Sequence, residues 1–270
     1  SRREAISLLR RAIIEKNAPN NSILSNRVLR KNNFSYQIID NSPKKMVIFS
    51  DIGLFDEQLS QIGDVFIYNP NNYNNLVVKP NFSKPIFLNT PNIADYDDIN
   101  LLLNNQSIIK TYDGLVANNV YGLELANQFD MQCIAGLGLN IYNQYTIGSL
   151  RAKYFIASPE NYKDLNNAFV YAFGKLPLMT IKFCPFKNNC SSCSYDNNYC
   201  LKDDHNKLLK IRRVRLSRCY FQLLDEDGLN LPINKRNNLV LYDFTDYNKN
   251  QILKIINNVD IQKRYFPKVK

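Results

Sequence analysis

Gly114-Leu115-Val116-Ala117-Asn118-Asn119-Val120-Tyr121-Gly122-Leu123-Glu124-Leu125-Ala126-Asn127-Gln128-Phe129-Asp130-Met131-Gln132-Cys133-Ile134-Ala135 is the stretch that decides the fold class. Gly114 to Ala117 and Gln132 to Ala135 read as short β-strands, and Val120 to Phe129 between them reads as a helix. The same alternation extends in both directions. Strands are expected at Met46 to Phe49, Val65 to Tyr68, Ile86 to Leu88, Tyr154 to Ala157 and Leu178 to Ile181, and helices at Tyr96 to Asn104, Gln144 to Ala152 and Pro159 to Phe173. Strand then helix, repeated, implies a parallel sheet.

Seven strands in about 140 residues repeat every ~20 to 25 residues, tighter than a full eight-unit barrel of ~250 residues usually allows. The expected fold is therefore α/β, an incomplete (β/α) barrel-like parallel sheet. An open doubly wound sheet is the competitor, but Gly136-Leu137-Gly138 lacks the third glycine, Ile141 standing in its place, so the dinucleotide fingerprint fails. Either architecture gathers ligands at the carboxyl ends of its strands. That places Asn140, Asn143, Ser158, Glu160 and the segment after Ile181 on one rim.

Upstream, the chain starts Ser1-Arg2-Arg3-Glu4-Ala5 without an initiator Met and with helical spacing already running, and it reads as cut from something longer. Downstream of Cys200 the pattern turns to strands: Leu208 to Leu216, Cys219 to Leu224 and Leu239 to Phe244, closed by a helix from Lys249 to Asn257. Three regions are expected: residues 1–42 as helix and linker belonging to a truncated upstream region, 43–183 as the barrel-like domain, and 184–270 as a small cysteine-containing β-rich module.

At 270 residues the chain can bury a substantial core without staples. Its apolar runs are short and bounded by polar residues, so neither a signal peptide nor a membrane span is expected, and the location read from the sequence is cytoplasmic. Asparagine supplies about one residue in seven, which reads as the mark of an AT-rich genome. The net charge of +10 fits a polyanionic partner or a general lysine bias equally well.

Cys184, Cys190, Cys193 and Cys200 crowd most of the thiols into one Asn-rich segment. Two residues separate Cys190 from Cys193, the spacing at which one turn lets both sulfurs face a single ion, and Cys184 is near enough for a third bond. Spacing leaves the fourth ligand open among Cys200, Cys219 and the lone histidine, His205. Soft thiolates suit zinc or an iron–sulfur cluster and suit magnesium or calcium poorly. Cys133, inside an apolar strand, reads as a core residue. Ser158-Pro159-Glu160 reads as a helix start. Lys207, Lys210, Arg212, Arg213, Arg215 and Arg218, with Tyr195, Tyr199 and Tyr220 nearby to stack on bases, are the best local candidate for a phosphate-facing surface, or else one solvated face of a strand pair.

Gly136-Leu137-Gly138-Leu139-Asn140-Ile141-Tyr142-Asn143, Ser158-Pro159-Glu160, Phe173-Gly174-Lys175-Leu176-Pro177-Leu178-Met179 and Cys184-Pro185 occur in an order and spacing that resemble the collagenase-like peptidase family U thirty-two. The likeness is to the C-terminal half of its long members, and Arg2-Arg3-Glu4-Ala5 resembles the stretch preceding that half. It is strongest over residues 114–193. The family was named for proteolysis, and several members are implicated in oxygen-independent hydroxylation of tRNA or rRNA linked to prephenate. The resemblance thus implies part of a larger RNA hydroxylase, inactive as this fragment alone, with an N-terminal catalytic half as partner. A collagenase-like peptidase and a non-catalytic, metal-stabilised RNA-binding or scaffold domain are the alternatives. Family position implies Cys184, Cys190, Cys193 and Cys219 as ligands and leaves Cys200 spare. Asp203-Asp204-His205-Asn206 departs from the Asp-Arg often found in relatives.

Overall fold

The structure, a computed structural model, describes residues 43–160, 165, 167–186, 193, 199–225, 228–230 and 239–257. All of them belong to one compact unit, Ile38–Lys270. The helix and linker expected within 1–42 lie outside the described residues.

Runs such as Lys-Met-Val-Ile-Phe are short, apolar on both faces and rich in β-formers, the composition of a strand covered on both sides. In chain order they give β1 (Lys45–Phe49), β2 (Val65–Tyr68), β3 (Ile86–Asn89), β4 (Gly114–Ala117), β5 (Gln132–Ala135), β6 (Tyr154–Phe155) and β7 (Val170–Gly174). The chain then builds β8 (Pro177–Ile181), β9 (Cys200–Lys202), β10 (Leu208–Arg215) and β11 (Cys219–Asp225), a separate antiparallel sheet in the order β8-β11-β10-β9. It returns through β12 (Leu229–Asn230), antiparallel to β7, and β13 (Val240–Asp243), which lies between β7 and β1 and is parallel to both.

Eight strands, β7-β13-β1-β2-β3-β4-β5-β6, therefore form one curled parallel sheet. Its ends meet: Ile156, just past β6, bridges Phe169, just before β7, with Ala157 N–H donating to Phe169 O (2.8 Å) and Phe169 N–H to Phe155 O (2.7 Å). Strand alternation divides the side chains between the inside of the curl and its outer surface, where Ala135, Phe155 and Val170 form a separate cluster at the seam. Met46, Ile67, Phe87, Val116, Ile134, Ile156, Tyr171 and Leu241 fill the inside of the curl, one or more from each strand segment. Val47, Phe49, Phe66, Leu88, Leu115 and Tyr242 face outward into a second core with the helices.

Those helices are α1 (Glu57–Ser60), α2 (Tyr96–Asn104), α3 (Gln106–Ile109), α4 (Val120–Gln128), α5 (Gln144–Ser149) and α6 (Lys249–Asn257). Their starts are written in the sequence: the side chains of Asp56, Asp95, Asn119 and Asn143 each accept a first-turn amide, and Asp95 and Asp98 form a reciprocal capping box. Among the described residues no helix is long and apolar enough to cross a membrane.

The parallel sheet matches the expected class, with differences at its seam. Val170–Gly174 overlaps the end of the helix expected over Pro159 to Phe173 but is a strand, because it is buried on both faces, where a short apolar run reads alike as helix or strand. Leu178 to Ile181 is a strand of the small sheet rather than of the ring; its exposed Leu178 and Met179 would be covered in a ring strand. Leu239 to Phe244, expected in the C-terminal module, supplies the eighth ring strand. Helix α5 stops at Ser149, where Leu150 is already extended.

Candidate functional site

The carboxyl ends of the ring strands open into a cavity of about 580 Å³, roofed by the small sheet. Its floor is the upper layer of the inner core, Ile48, Ile67, Val116 and Ile156. Around the floor stands a row of amides, each at or just past the end of its strand. Asn118 Nδ2 donates to Asn89 Oδ1 (2.7 Å) and to Thr90 O (2.8 Å), Asn89 Nδ2 donates to Asn69 Oδ1 (2.9 Å), and Asn69 Nδ2 donates to Thr245 Oγ1 (3.3 Å). The row fixes the orientation of polar groups that the backbone ladder no longer constrains.

Two buried ionisable groups, Arg212 and Asp243, face the interior, and Glu160 and Lys175 also line the cavity. Arg212 on β10 is 4% exposed; its Nε donates to Asn71 Oδ1 (2.8 Å), Nη1 to Gln222 Oε1 (3.0 Å) and Nη2 to Asn69 O (3.0 Å). Asp243, the last residue of β13, accepts from Thr245 N–H (2.8 Å) and from the Tyr171 hydroxyl (2.9 Å). Burial pushes its carboxyl above the ordinary aspartate value, and the bonds from Thr245 and Tyr171 and the Arg212 charge offset this only partly.

Of the rim residues expected from sequence, Asn140, Ser158 and Glu160 line the cavity. Asn140 is held in the left-handed region (φ 48°), at the end of the single turn Leu137–Leu139. Asn143 instead caps α5, accepting from Thr146 N–H (3.0 Å), and does not line the cavity. Pro159 and Glu160 form a turn after Ser158, and residues 161–164 and 166 of the helix expected to start there lie outside the described residues. Asn69, Asn89, Asn118, Gln222 and Asp243 were not singled out in the sequence. The available signal was the recurrence of asparagine at the ends of successive strands, Tyr68-Asn69, Leu88-Asn89 and Ala117-Asn118, hidden in a chain where asparagine is everywhere.

Strand alternation divides the basic run. Arg213 and Arg215 lie on the outer face of β10, whereas Lys210 and Arg212 face the ring, Lys210 standing 3.7 Å from the nearly buried Asp246 carboxylate. Tyr220 is buried toward the cavity, Tyr199 is exposed, and Tyr195 lies outside the described residues.

The same alternation sorts the cysteines. Cys219 pairs with Arg215, and Phe221 with Arg213, on the outer face; Cys184 and Cys219 both pack against the outer cluster of Ile211, Phe221 and Leu223. Arg213 Nη1 lies 3.1 Å from Cys193 Sγ. Cys200 pairs with Lys210 and so belongs to the opposite face. His205 sits in the exposed turn after β9, its N–H donating to Asp203 Oδ1 (2.8 Å). Cys190 lies outside the described residues, and among the described residues no three His, Cys, Asp or Glu side chains are grouped to hold an ion. Cys133 packs in the outer ring core, where burial pushes its thiol up to about 11, out of range for a nucleophile at neutral pH.

Comparisons with protein-family models, with curated proteins and with solved structures gave no match.

Proposed function

We propose that the chain is the C-terminal part of an RNA-modifying enzyme similar to the collagenase-like peptidase family U thirty-two, acting in hydroxylation of tRNA or rRNA, with the strand-end cavity as its ligand site. One observation carries the reading. Three of the segments on which the resemblance rests follow successive ring strands, and Gly138 and Asn140, Ser158 to Glu160, and Lys175 to Met179 all line this one cavity, whereas Cys184-Pro185 does not. That end of the ring is where parallel sheets of this kind bind ligands.

In this proposal Cys184, Cys190, Cys193 and Cys219 hold zinc or an iron–sulfur cluster. Their donor chemistry suits either, and Cys184 and Cys219 pack on one cluster. The resident metal would brace the small sheet that roofs the cavity, and prephenate is the co-substrate proposed for the intact enzyme.

The test is mass spectrometry of total tRNA and rRNA nucleosides from the host with and without the gene. The expected result is the loss of a hydroxylated nucleoside, restored by the intact gene. Unchanged hydroxylation at every position would sink the proposal. Metal analysis of anaerobically purified protein then separates colourless zinc from a brown iron- and sulfide-containing cluster.

A further inference from the structure

Asp243 is an ionisable side chain set into an otherwise apolar layer. Alternation along β13 sends Val240 and Tyr242 outward and Leu241 and Asp243 inward, so Asp243 stands one layer above Leu241 at the carboxyl end of its strand. Its register partner on β1 is Ile48, and Ile48, Ile67, Val116 and Ile156 form the cavity floor around it. The residue is 8% exposed and lines the cavity.

Its supports come from three parts of the fold. Tyr171 of β7, fully buried inside the ring, donates its hydroxyl to Asp243 Oδ2 (2.9 Å), and Thr245 N–H donates to Oδ1 (2.8 Å). Gly174 leaves the space in which these groups meet: a Cβ there would lie 2.6 Å from Asp243 Cβ and 2.7 Å from the Tyr171 hydroxyl, and its φ of 136° suits glycine alone. Arg212 of β10 is the cation whose field reaches the carboxyl, and Glu160, Lys175 and Tyr220 are the other ionisable groups on the cavity wall. Together the hydrogen bonds and the Arg212 charge offset the burial of the carboxylate only in part. Asparagine in the same place would meet Thr245 and Tyr171 with no charge to bury, so anchoring alone does not call for an ionisable group. A buried carboxyl that faces a cavity and holds its proton more tightly than usual is what proton transfer needs.

We propose that Asp243 is the proton-transfer residue of the cavity and that Tyr171 is its positioning residue. The ionised carboxylate takes a proton from an N–H, O–H or acidic C–H of the bound ligand. The new O–H bond forms as the old bond breaks, the electron pair stays with the ligand, and the proton is handed back as product forms. A carboxylate offers about four lone-pair sites, more than Thr245 and Tyr171 use. Burial holds the Tyr171 hydroxyl well above its ordinary value, so it stays protonated and keeps donating. The inference rests on the cavity being the ligand site of the proposed enzyme, but not on RNA being what that enzyme modifies.

The experiment offers the full 270-residue chain 5-nitrobenzisoxazole, a small neutral probe whose ring opens when a base removes its C–H proton. The proton goes to the carboxylate, the C–H electrons complete a nitrile, and the N–O bond breaks to leave a coloured phenolate. The rate is expected to saturate with probe and to rise with pH as the carboxyl ionises, with a midpoint above 3.8. Asp243→Asn is expected to lower it at least about a hundredfold, the usual worth of a positioned base, while melting no lower than wild type at neutral pH. Asp243→Glu should keep part of the rate. Tyr171→Phe removes a bond that favours the ionised form, so its midpoint should move up by about 1–2 pH units, a shift that loosened packing alone does not produce. An undiminished rate in Asp243→Asn overturns the proposal, as does the absence of saturable turnover by wild type. Should Asp243→Asn not fold, the Tyr171→Phe profile decides, and an unmoved midpoint overturns the proposal. Turnover of the probe by Asp243 with unchanged RNA hydroxylation in the host would remove the RNA reading alone. Hydroxylation lost on deleting the gene, with Asp243→Asn as active on the probe as wild type, would remove this one alone.

Discussion

Gly136 and Gly138 are needed where they stand because Asn118 occupies the space a side chain would take. A Cβ on Gly138 would lie 2.1 Å from the Asn118 carbonyl oxygen, and one on Gly136 would lie 2.4 Å from Asn118 Oδ1. The pair fails as a dinucleotide fingerprint yet holds the Leu137–Leu139 turn against β4, setting Asn140 on the rim. Gly138→Ala is thus expected to destabilise by about 1–3 kcal/mol, the usual range for overpacking, measured by urea unfolding. A cost near zero would mean that the turn does not press on Asn118. Asp243 gives a prediction in pH. Its folded carboxyl titrates above the ordinary value of 3.8, so the folded chain holds this proton more tightly than the unfolded one. The resulting stabilisation is complete below the unfolded value and is lost as pH rises through the folded one. Asp243→Asn keeps an acceptor for Thr245 and a donor for Tyr171 but has no proton to lose. Its stability relative to wild type should therefore rise as pH increases above 3.8 and level off once the folded carboxyl has ionised, by about 1.4 kcal/mol for each pH unit separating the two values. Parallel pH profiles for the two proteins would count against a raised Asp243.

Strand β11 shows what one element can settle that spacing cannot. Its alternation sends Cys219, Phe221 and Leu223 outward and Tyr220, Gln222 and Leu224 toward the ring, and its ladder through β10 to β9 sends Cys200 to the side opposite Cys219. The proposed metal site accordingly predicts that Cys219→Ser lowers the bound metal while Cys200→Ser leaves it unchanged, read by metal analysis of the purified variants. Equal losses would mean that ligand choice ignores the faces of the sheet. Helix α2 gives a prediction of stability. Asp98, 1% exposed, serves the capping box and also accepts from Ser217 N–H (3.1 Å) and the Ser217 hydroxyl, tying the β10–β11 turn to the ring. Asp98→Ala should cost about 1–3 kcal/mol, because the Ser217 donors lose their acceptor. Asp95→Ala, at the exposed end of the same box, should cost less in the same unfolding assay. Elements with a clear local signal were legible from sequence: α2 by its Asp95 cap, and α6 by its helical spacing. Val170–Gly174 was not, because β7 is apolar on both faces and only its partners β13 and Phe155 distinguish a buried strand from a buried helix. The basic run misled as a unit because consecutive residues of β10 face opposite ways.

At the scale of the molecule, the small sheet is an insertion between two neighbouring strands of the ring. The chain leaves the ring at Gly174, builds β8 to β11, and returns at Val240 to lie beside the strand it left. Sequence order could not show this, since the strand pairing β1 with β7 comes about 60 residues after the point where the strand–helix alternation ends. The insertion also explains how the cavity acquires Arg212 and Gln222: residues of the roof are carried over the strand ends by the connection that closes the ring. A domain boundary at residue 183 would remove β13 and leave β1 and β7 each with an unpaired edge. It would also expose inner-core Leu241 contacts and outer-core Tyr242 and Phe244 contacts, which are buried in the intact unit. Losing several such side chains, at about 1.5–3 kcal/mol each, removes an amount comparable with the entire stability of an ordinary domain. Residues 43–183 alone are therefore expected to show no cooperative thermal transition and rapid proteolysis, whereas residues 38–257 should melt as one unit. A cooperative transition in the shorter piece would show that the ring does not depend on β13, and the roof would then be an appended module rather than part of the fold that builds the site.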